Sequence, residues 1–167
     1  MSINFAHKEI LVLGAGVTGT SVARFLESNG AKVTIADDNS EAAVKPDEIN
    51  LDDFNAVVIS PGWRQDHPLV VQILNSSIEL LNEIDIAWQL RAEKAPHQQW
   101  IAVTGTNGKT TTVEMAAAIL KAAGIKSVAC GNVGDTVIDA VDRNDPYEVL
   151  VLELSSFQLH WACLLYT

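Results

Sequence analysis

The chain has 167 residues, of which 48% are hydrophobic and 19% charged, and its formal net charge is −10 at pH 7. This composition is typical of a globular protein, and the length allows one ordinary domain or a small domain followed by part of a second. Because binding along a nucleic-acid backbone requires clustered cations and the sequence has no Lys/Arg run, we expect no nucleic-acid partner.

The sequence shows no targeting or membrane-spanning pattern. The first ten residues lack the basic and apolar regions of a secretion signal, and no apolar stretch approaches the roughly 18 residues that span a bilayer. The two cysteines, Cys130 and Cys163, are far apart and suit a reducing compartment. These features favour a cytoplasmic protein without membrane insertion, and we expect a monomer.

The chain begins with a strand–helix–strand pattern. Glu9–Leu13 is predicted to be a buried parallel strand, residues 18–29 a helix that ends at Asn29 and Gly30, and Lys32–Ala36 a second strand. Further strands are predicted at 56–59 and 78–81, and further helices at 68–75 and 84–93. The alternation indicates an α/β fold, with a Rossmann-like parallel sheet in residues 1–94 and a polar linker at 95–99.

A second α/β pattern occupies residues 100–167. Strands are predicted at 100–104, 127–129 and 148–152, and helices at 110–123 and 136–142. Three strands are few for an open parallel sheet that is covered on both faces. We therefore interpret this part as the truncated beginning of a second domain.

The strongest functional signal is the loop between the strand at 100–104 and the helix at 110–123. It combines glycines, hydroxyl side chains and a lysine: Gly105, Thr106, Asn107, Gly108, Lys109, Thr110 and Thr111. Glycines let backbone N–H groups turn toward an anion, and the helix N-terminus adds a positive dipole. The Lys109 ammonium suits β- and γ-phosphates, and the Thr110 hydroxyl suits magnesium. Although Val103 replaces the first glycine of the general pattern, we predict a P-loop-type site rather than an accidental turn.

A second glycine loop joins the first strand and the first helix. Residues 14–19 have the form GxGxxG, and Asp37 closes the next strand at the position of a ribose-binding acid. Taken alone, this pattern indicates an NAD-dependent oxidoreductase, and a tight turn without a ligand is another alternative. Because GxGxxG describes a backbone shape suited to a diphosphate, a nucleotide of some kind is the preferred interpretation.

Glu153 is a further candidate residue. It follows an apolar run at the carboxyl end of a predicted strand, where ligands bind in open α/β sheets. A buried carboxylate is costly unless it is paired or bound to a metal, so a paired or metal-bound carboxylate is favoured over a solvated acid. The histidines lack metal-ligand spacing, and the tryptophans are predicted to be packing anchors rather than a base-stacking platform. The acidic run at 47–53 is predicted to be a solvated loop.

The two glycine loops together resemble those of the Mur ligase family. The sequence GTNGKT at 105–110 is similar to the family's ATP loop. Residues 14–21, SPG at 60–62, 131–134 and ELSSFQ at 153–158 are similar to the members that add D-glutamate to UDP-N-acetylmuramoyl-L-alanine. Those enzymes have three domains, so the resemblance implies a UDP-binding domain at 1–94 and the first part of the central ATP-binding domain at 100–167.

The resemblance implies an ATP- and Mg²⁺-dependent ligase of peptidoglycan synthesis that works through an acyl phosphate. Residues 105–111 are implied to hold ATP, Lys109 and Glu153 to be catalytic, and Thr110 and Glu153 to bind Mg²⁺. The residues implied to contact the acceptor are Val17, Thr18, Asp37, Ser60, Pro61 and Gly62 around the uracil and diphosphate, with Asn132, Ser155 and Gln158 near the sugar–alanine end.

The sequence departs from the family pattern at a few positions, and other features of the family are expected outside residues 1–167. Asp38 and Asn39 stand where relatives often have a basic residue, and Asn82 precedes Glu83 where glycine is common. The carbamylated lysine, a histidine and the domain that positions D-glutamate are expected beyond this segment, so residues 1–167 alone are expected to be inactive. A non-catalytic nucleotide-binding module is a third interpretation.

Overall fold

The computed structural model describes residues 4–162, which fall into two compact units. One unit contains residues 4–85 with Trp161 and Ala162, and the other is Ile86–His160. Both have an α/β fold with a parallel sheet, as predicted. Cys163 lies outside the described residues, and Cys130 is buried.

The first unit is built on a four-stranded parallel sheet with the order β2-β1-β3-β4. Its strands are β1 (Glu9–Leu13), β2 (Lys32–Ala36), β3 (Ala56–Ile59) and β4 (Glu79–Leu81). Its helices are α1 (Val17–Ser28), α2 (Pro68–Leu74) and the start of α3 (Glu83–Lys94). The two central strands, β1 and β3, are almost fully buried, which explains their continuous apolar sequences.

Local sequence explains the position of α1. Val22, Phe25 and Leu26 are buried and lie at helical spacing, so one face of the helix packs on the sheet. The helix ends at Asn29, and Gly30 follows with a φ of 84°. This left-handed residue after a helix is the usual position for glycine, as the sequence predicted.

The second unit has a three-stranded parallel sheet with the order β5-β7-β6. The strands are β5 (Gln99–Val103), β6 (Ser127–Gly131) and β7 (Val149–Glu153), and the helices besides α3 are α4 (Lys109–Ala122), α5 (Val137–Val141) and α6 (Ser156–Trp161). Val113 and Ala117 on α4 pack with Val151 of β7 in the core of this unit. All five residues of β7 are buried, as the central position of the strand requires.

Several predicted boundaries differ from the observed ones. β6 extends to Gly131 because Gly131 still pairs with Glu153, and α6 forms where no helix was predicted. The acidic run contains two short 3₁₀ turns, Pro46–Glu48 and Leu51–Asp53. The prediction of a linker at 95–99 stays a prediction, although Gln98 is buried and donates from Nε2 to the carbonyl oxygen of Tyr147 at 3.0 Å.

The tryptophans pack as predicted. Trp63 lies against the core of the first unit, and Trp161 is buried in that core. In the second unit, Trp88 and Trp100 meet edge to face with ring centroids 5.1 Å apart. Within residues 4–162, no helix is long and apolar enough to cross a membrane.

Candidate functional site

The turn between β1 and α1 is the first candidate site. Gly14 has a φ of 108°, and a Cβ there would lie 2.9 Å from Cβ and Oγ of Ser60. A Cβ at Gly19 would lie 1.8 Å from the Gly14 carbonyl oxygen, so glycine is required for α1 to approach β1. A Cβ at Gly16 would meet nothing within 4 Å, and Val17 is 77% exposed. The turn therefore presents the N-terminus of a 12-residue helix to solvent.

The strand order brings other predicted residues to this turn. Because β1 lies between β2 and β3, the chain reverses direction across the sheet between β1 and β3, which is where open α/β sheets bind ligands. Ser60, Pro61 and Gly62 directly follow β3, and the Ser60 N–H donates to the Leu13 carbonyl oxygen at 3.0 Å. Residues 60–62 therefore start beside the glycine turn at the same sheet edge.

Asp37 is bonded to the same turn. Its Oδ2 accepts a hydrogen bond from the Ala15 N–H at 2.7 Å, and its Oδ1 accepts one from the Asn39 N–H at 2.8 Å. These bonds, first that from Ala15, hold the pKa of Asp37 below its ordinary value. The carboxylate thus fixes the end of β2 against the glycine turn, in addition to any contact with a ribose.

His67 has a structural role close to this edge. Its Nδ1 accepts a hydrogen bond from the Leu69 N–H at 3.2 Å, which caps the start of α2, and its Nε2 lies 3.3 Å from Asp38 Oδ2. Within the described part of the chain, no group of three or more His, Cys, Asp or Glu side chains could hold a metal ion. The histidine therefore acts as a cap of α2.

Glu153 is the centre of the second candidate site. It is the last residue of the central strand β7, is 3% exposed, and pairs with Val103 on one side and Gly131 on the other. The loops that follow β5 and β6 therefore flank its side chain. Thr110 Oγ1 donates to Glu153 Oε2 at 2.7 Å, and Asn132 Nδ2 donates to Glu153 Oε1 at 3.3 Å.

The loop between β5 and α4 is open and has left-handed residues. Gly105 and Gly108 have φ values of 149° and 74°, and a Cβ at either position would meet nothing within 4 Å. The Lys109 ammonium donates to the Gly105 carbonyl oxygen at 2.8 Å, so the side chain folds back over the loop. Thr106, Asn107 and Thr111 are exposed around it. This arrangement leaves backbone N–H groups and a cation accessible to phosphates.

The donor set beside this loop fits a hard divalent cation. A threonine hydroxyl and a buried carboxylate are already in contact, and oxygen ligands are those that Mg²⁺ prefers. Asn132 adds a contact that the sequence could not predict. Its backbone N–H also donates to the Glu153 carbonyl oxygen at 2.9 Å, so two groups of Asn132 hold the glutamate.

Ser155 and Gln158 bond to each other at the start of α6. The Gln158 N–H donates to Ser155 Oγ at 3.1 Å, and the Ser155 N–H donates to Gln158 Oε1 at 2.9 Å. This reciprocal pair is a capping box, and the spacing Ser-x-x-Gln was a sequence signal for it. No helix was predicted at these residues, and their contact with a substrate stays a prediction.

The sequence also matches family models at both sites. The model described as Mur ligase MurD-like, N-terminal domain matches residues 8–82, and the Mur ligase middle domain matches residues 103–164. The chain belongs to the Mur ligase family. Each candidate site of this Mur ligase chain lies within one of the two matched regions.

Curated relatives of this Mur ligase chain carry one common name. The UDP-N-acetylmuramoylalanine--D-glutamate ligase of Nocardia farcinica is 41% identical over 93% of the chain and 35% of the relative. The enzyme of that name from Streptomyces coelicolor is 37% identical over 97% of the chain and 38% of the relative. The chain thus spans a little over a third of the length of these relatives.

A solved structure shows the same fold. The crystal structure of UDP-N-acetylmuramate:L-alanyl-gamma-D-glutamyl-meso-diaminopimelate ligase from Neisseria meningitides matches with a TM-score of 0.52 and 22% identity. The match covers 89% of this chain and 52% of that protein.

Proposed function

We propose that this Mur ligase chain supplies the UDP-precursor site and the ATP site of a peptidoglycan ligase that adds D-glutamate to UDP-N-acetylmuramoyl-L-alanine. The observation that carries the proposal is the convergence of Thr110, Asn132 and Glu153 at the end of β7, beside an open glycine loop that contains Lys109. The names of the curated relatives support the choice of substrates.

In the second unit, residues 105–111 would hold the triphosphate of ATP. Their backbone N–H groups and the N-terminus of α4 favour negative charge, and the Lys109 ammonium would move from the Gly105 carbonyl oxygen to the phosphates. Thr110 and Glu153 would hold Mg²⁺, and Asn132 would keep Glu153 oriented. When bound, Mg²⁺ offsets the negative charge of the phosphates.

These groups fit the first chemical step because two anions must approach each other. An oxygen of the alanine carboxylate would form a bond to the γ-phosphorus of ATP while the bond to the ADP oxygen breaks. The amine of D-glutamate would then attack the acyl carbon, and an amide, phosphate and a proton would be released. Lys109 and the backbone dipoles of the loop offset the repulsion in the first step.

In the first unit, the glycine turn would hold the UDP part of the acceptor. Gly16 leaves open space at the N-terminus of α1, and Val17 and Thr18 follow in its first turn. Asp37 and residues 60–62 border this turn. For the second unit, we propose contacts of Asn132, Ser155 and Gln158 with the sugar–alanine end.

Thermal unfolding of the whole chain with different ligands tests the proposal. UDP-N-acetylmuramoyl-L-alanine should raise the Tm and NADH should not, because a ligand stabilises a fold in proportion to the logarithm of its concentration over Kd. Mg²⁺-ATP should raise the Tm as well. Lys109→Ala should abolish the shift with Mg²⁺-ATP and keep the shift with the UDP compound.

The matched control is Lys121→Ala, which removes an exposed lysine from the last turn of the same helix and should keep both shifts. Stabilisation by NADH alone would mean that the first loop takes a dinucleotide, and the UDP assignment would be wrong. An unchanged Mg²⁺-ATP shift in Lys109→Ala would remove the second loop from the proposal.

A further inference from the structure

We propose that Lys45 is a phosphate-binding residue of the first site, where its ammonium contacts the diphosphate of the nucleotide at the Gly14–Gly19 turn. This inference rests on the proposed function of that turn. Lys45 belongs to no motif in the sequence, and the argument for it comes from the path of the backbone, the bonds of the side chain and the charges nearby.

The backbone returns to the end of β2 just before Lys45. Val44 pairs in parallel with Ala36, the last residue of β2, and its N–H donates to the Ile35 carbonyl oxygen at 2.9 Å. The Asp37 N–H donates to the Val44 carbonyl oxygen at 3.1 Å. Lys45 therefore follows a residue that is hydrogen-bonded beside Asp37, at the same sheet edge as the glycine turn.

Backbone carbonyl groups hold the ammonium of Lys45 at this edge. Nζ donates to the carbonyl oxygens of Asp38 at 3.0 Å and Ser40 at 3.3 Å. An ammonium has three N–H donors, and the third has no partner among residues 4–162. Since Lys45 is exposed, this donor is available to a ligand.

The positive charge of Lys45 acts on Asp37, the residue that is hydrogen-bonded to the glycine turn. Its positive charge contributes to the lowered pKa of Asp37, after the hydrogen bonds from backbone N–H groups. Asp37 in turn accepts the Ala15 N–H at 2.7 Å. Asp37 therefore interacts electrostatically with Lys45 and is hydrogen-bonded to the turn, all within the first unit.

An anionic ligand at this edge needs such a cation. The chain has a net charge of −10, and Asp37 and Asp38 lie at the edge itself. Arg64, in the loop after β3, is engaged by Asp66 through two bonds of 2.8 Å and 2.5 Å. Lys45, in contrast, forms no salt bridge with a carboxylate in the part of the chain that the structure describes, and its hydrogen bonds go to backbone carbonyl oxygens.

The test compares UDP with uridine as ligands of the whole chain. Titration calorimetry gives the Kd for UDP, and ligand-observed NMR gives that for the weaker uridine. Lys45→Gln keeps a donor for the carbonyl groups but removes the charge, and it should weaken UDP about tenfold while changing uridine less than about twofold. Lys45→Arg should retain most of the affinity for UDP.

Lys32→Ala is the matched control, because Lys32 is an exposed lysine at the opposite end of β2 that pairs with Glu9 at 2.7 Å. It should leave both affinities unchanged. An unchanged UDP affinity in Lys45→Gln would overturn the inference, and so would equal losses for UDP and uridine, which would show that Lys45 only braces the turn at 37–40. If the wild-type chain binds neither ligand, the proposed function fails and this inference fails with it.

Discussion

Gly16 and Gly19 lie three residues apart in one turn, but the space around their α-carbons is entirely different. Gly19 faces the Gly14 carbonyl oxygen, which would be 1.8 Å from an added Cβ, whereas Gly16 faces open space. Since side chains in a packed interior cannot approach backbone so closely, Gly19 is required for packing. Gly16 is free to face a ligand. The same residue type therefore has two separate roles within one motif.

We expect Gly19→Ala to lower the free energy of unfolding of the first unit by about 3 kcal/mol, because α1 must move away from β1. Gly16→Ala should lower the free energy of unfolding by less than about 1 kcal/mol, because alanine is a poorer N-cap than glycine. The same change should weaken UDP binding. Urea unfolding measures the stability of each variant, and titration with UDP measures its affinity for the ligand. Wild-type stability in Gly19→Ala would show that a small backbone shift relieves the contact.

Asp37 should make stability depend on pH on the acid side. Its pKa is lowered, chiefly by the Ala15 N–H, so its stabilising effect is present above the ordinary aspartate pKa of about 4 and is lost as the pH falls through the lower folded value. Asp37→Asn should therefore lower the Tm near pH 7, and this difference should shrink as the pH approaches about 3. Because Asp37 is largely solvated, the effect should be modest.

The control for this measurement is Asp52→Asn, which changes an exposed aspartate in a 3₁₀ turn of the same unit. Its Tm difference from wild type should be small near neutral pH. A difference for Asp37→Asn that stays constant down to about pH 3 would mean that the charge of Asp37 contributes nothing through the Ala15 bond.

At the scale of the elements, α6 shows how a short helix depends on its cap. Six residues are too few for a helix to be stable on intrinsic propensity alone. The two bonds between Ser155 and Gln158 satisfy N–H groups that the first turn would otherwise leave unpaired. The signature around Glu153 thus includes a structural device as well as candidate ligand contacts.

Ser155→Ala and Gln158→Ala should each increase amide exchange at residues 155–159 by about five- to tenfold, since a lost cap costs about 1 kcal/mol. The double variant should add little to either, because both changes break one reciprocal unit. Hydrogen–deuterium exchange measured by NMR gives these rates. Ser156→Ala changes an exposed residue in the same turn and should leave the exchange rates unaltered. Additive effects of the two cap variants would contradict the capping box.

At the scale of the whole molecule, each candidate site lies within one unit. Residues 14–19, Asp37 and 60–62 belong to the first unit, and Thr110, Asn132 and Glu153 belong to the second. Each unit has its own sheet and its own buried core cluster. The proposed binding of a nucleotide at each site can therefore be measured separately, and loss of one site should leave the other intact.

Complete turnover is not expected of residues 1–167, which span a little over a third of the curated relatives. Amide formation requires the amine to be held against the acyl phosphate, and positioning contributes much of the rate of such reactions. With ATP, Mg²⁺, acceptor and D-glutamate, the chain should form no more ADP than Lys109→Ala. A coupled assay for ADP measures this, and formation above that control would contradict the expectation.

Local features could be predicted from the sequence alone: the strand–glycine–helix patterns, the two glycine loops and the resemblance to Mur ligases. These depend on neighbouring residues, because apolar runs, glycines and helix starts act over a few positions. Even the capping box was present in the sequence as Ser-x-x-Gln, although no helix was predicted there.

The contacts between residues far apart in the sequence follow from the arrangement of the strands. Glu153 contacts Thr110, 43 positions away, and Asn132, 21 positions away, because β7 lies between β5 and β6. Lys45 comes to the end of β2 through the pairing of Val44 with Ala36. Strand order and register set these distances, and both follow from how the apolar faces of all the strands and helices are buried together, which no local pattern specifies.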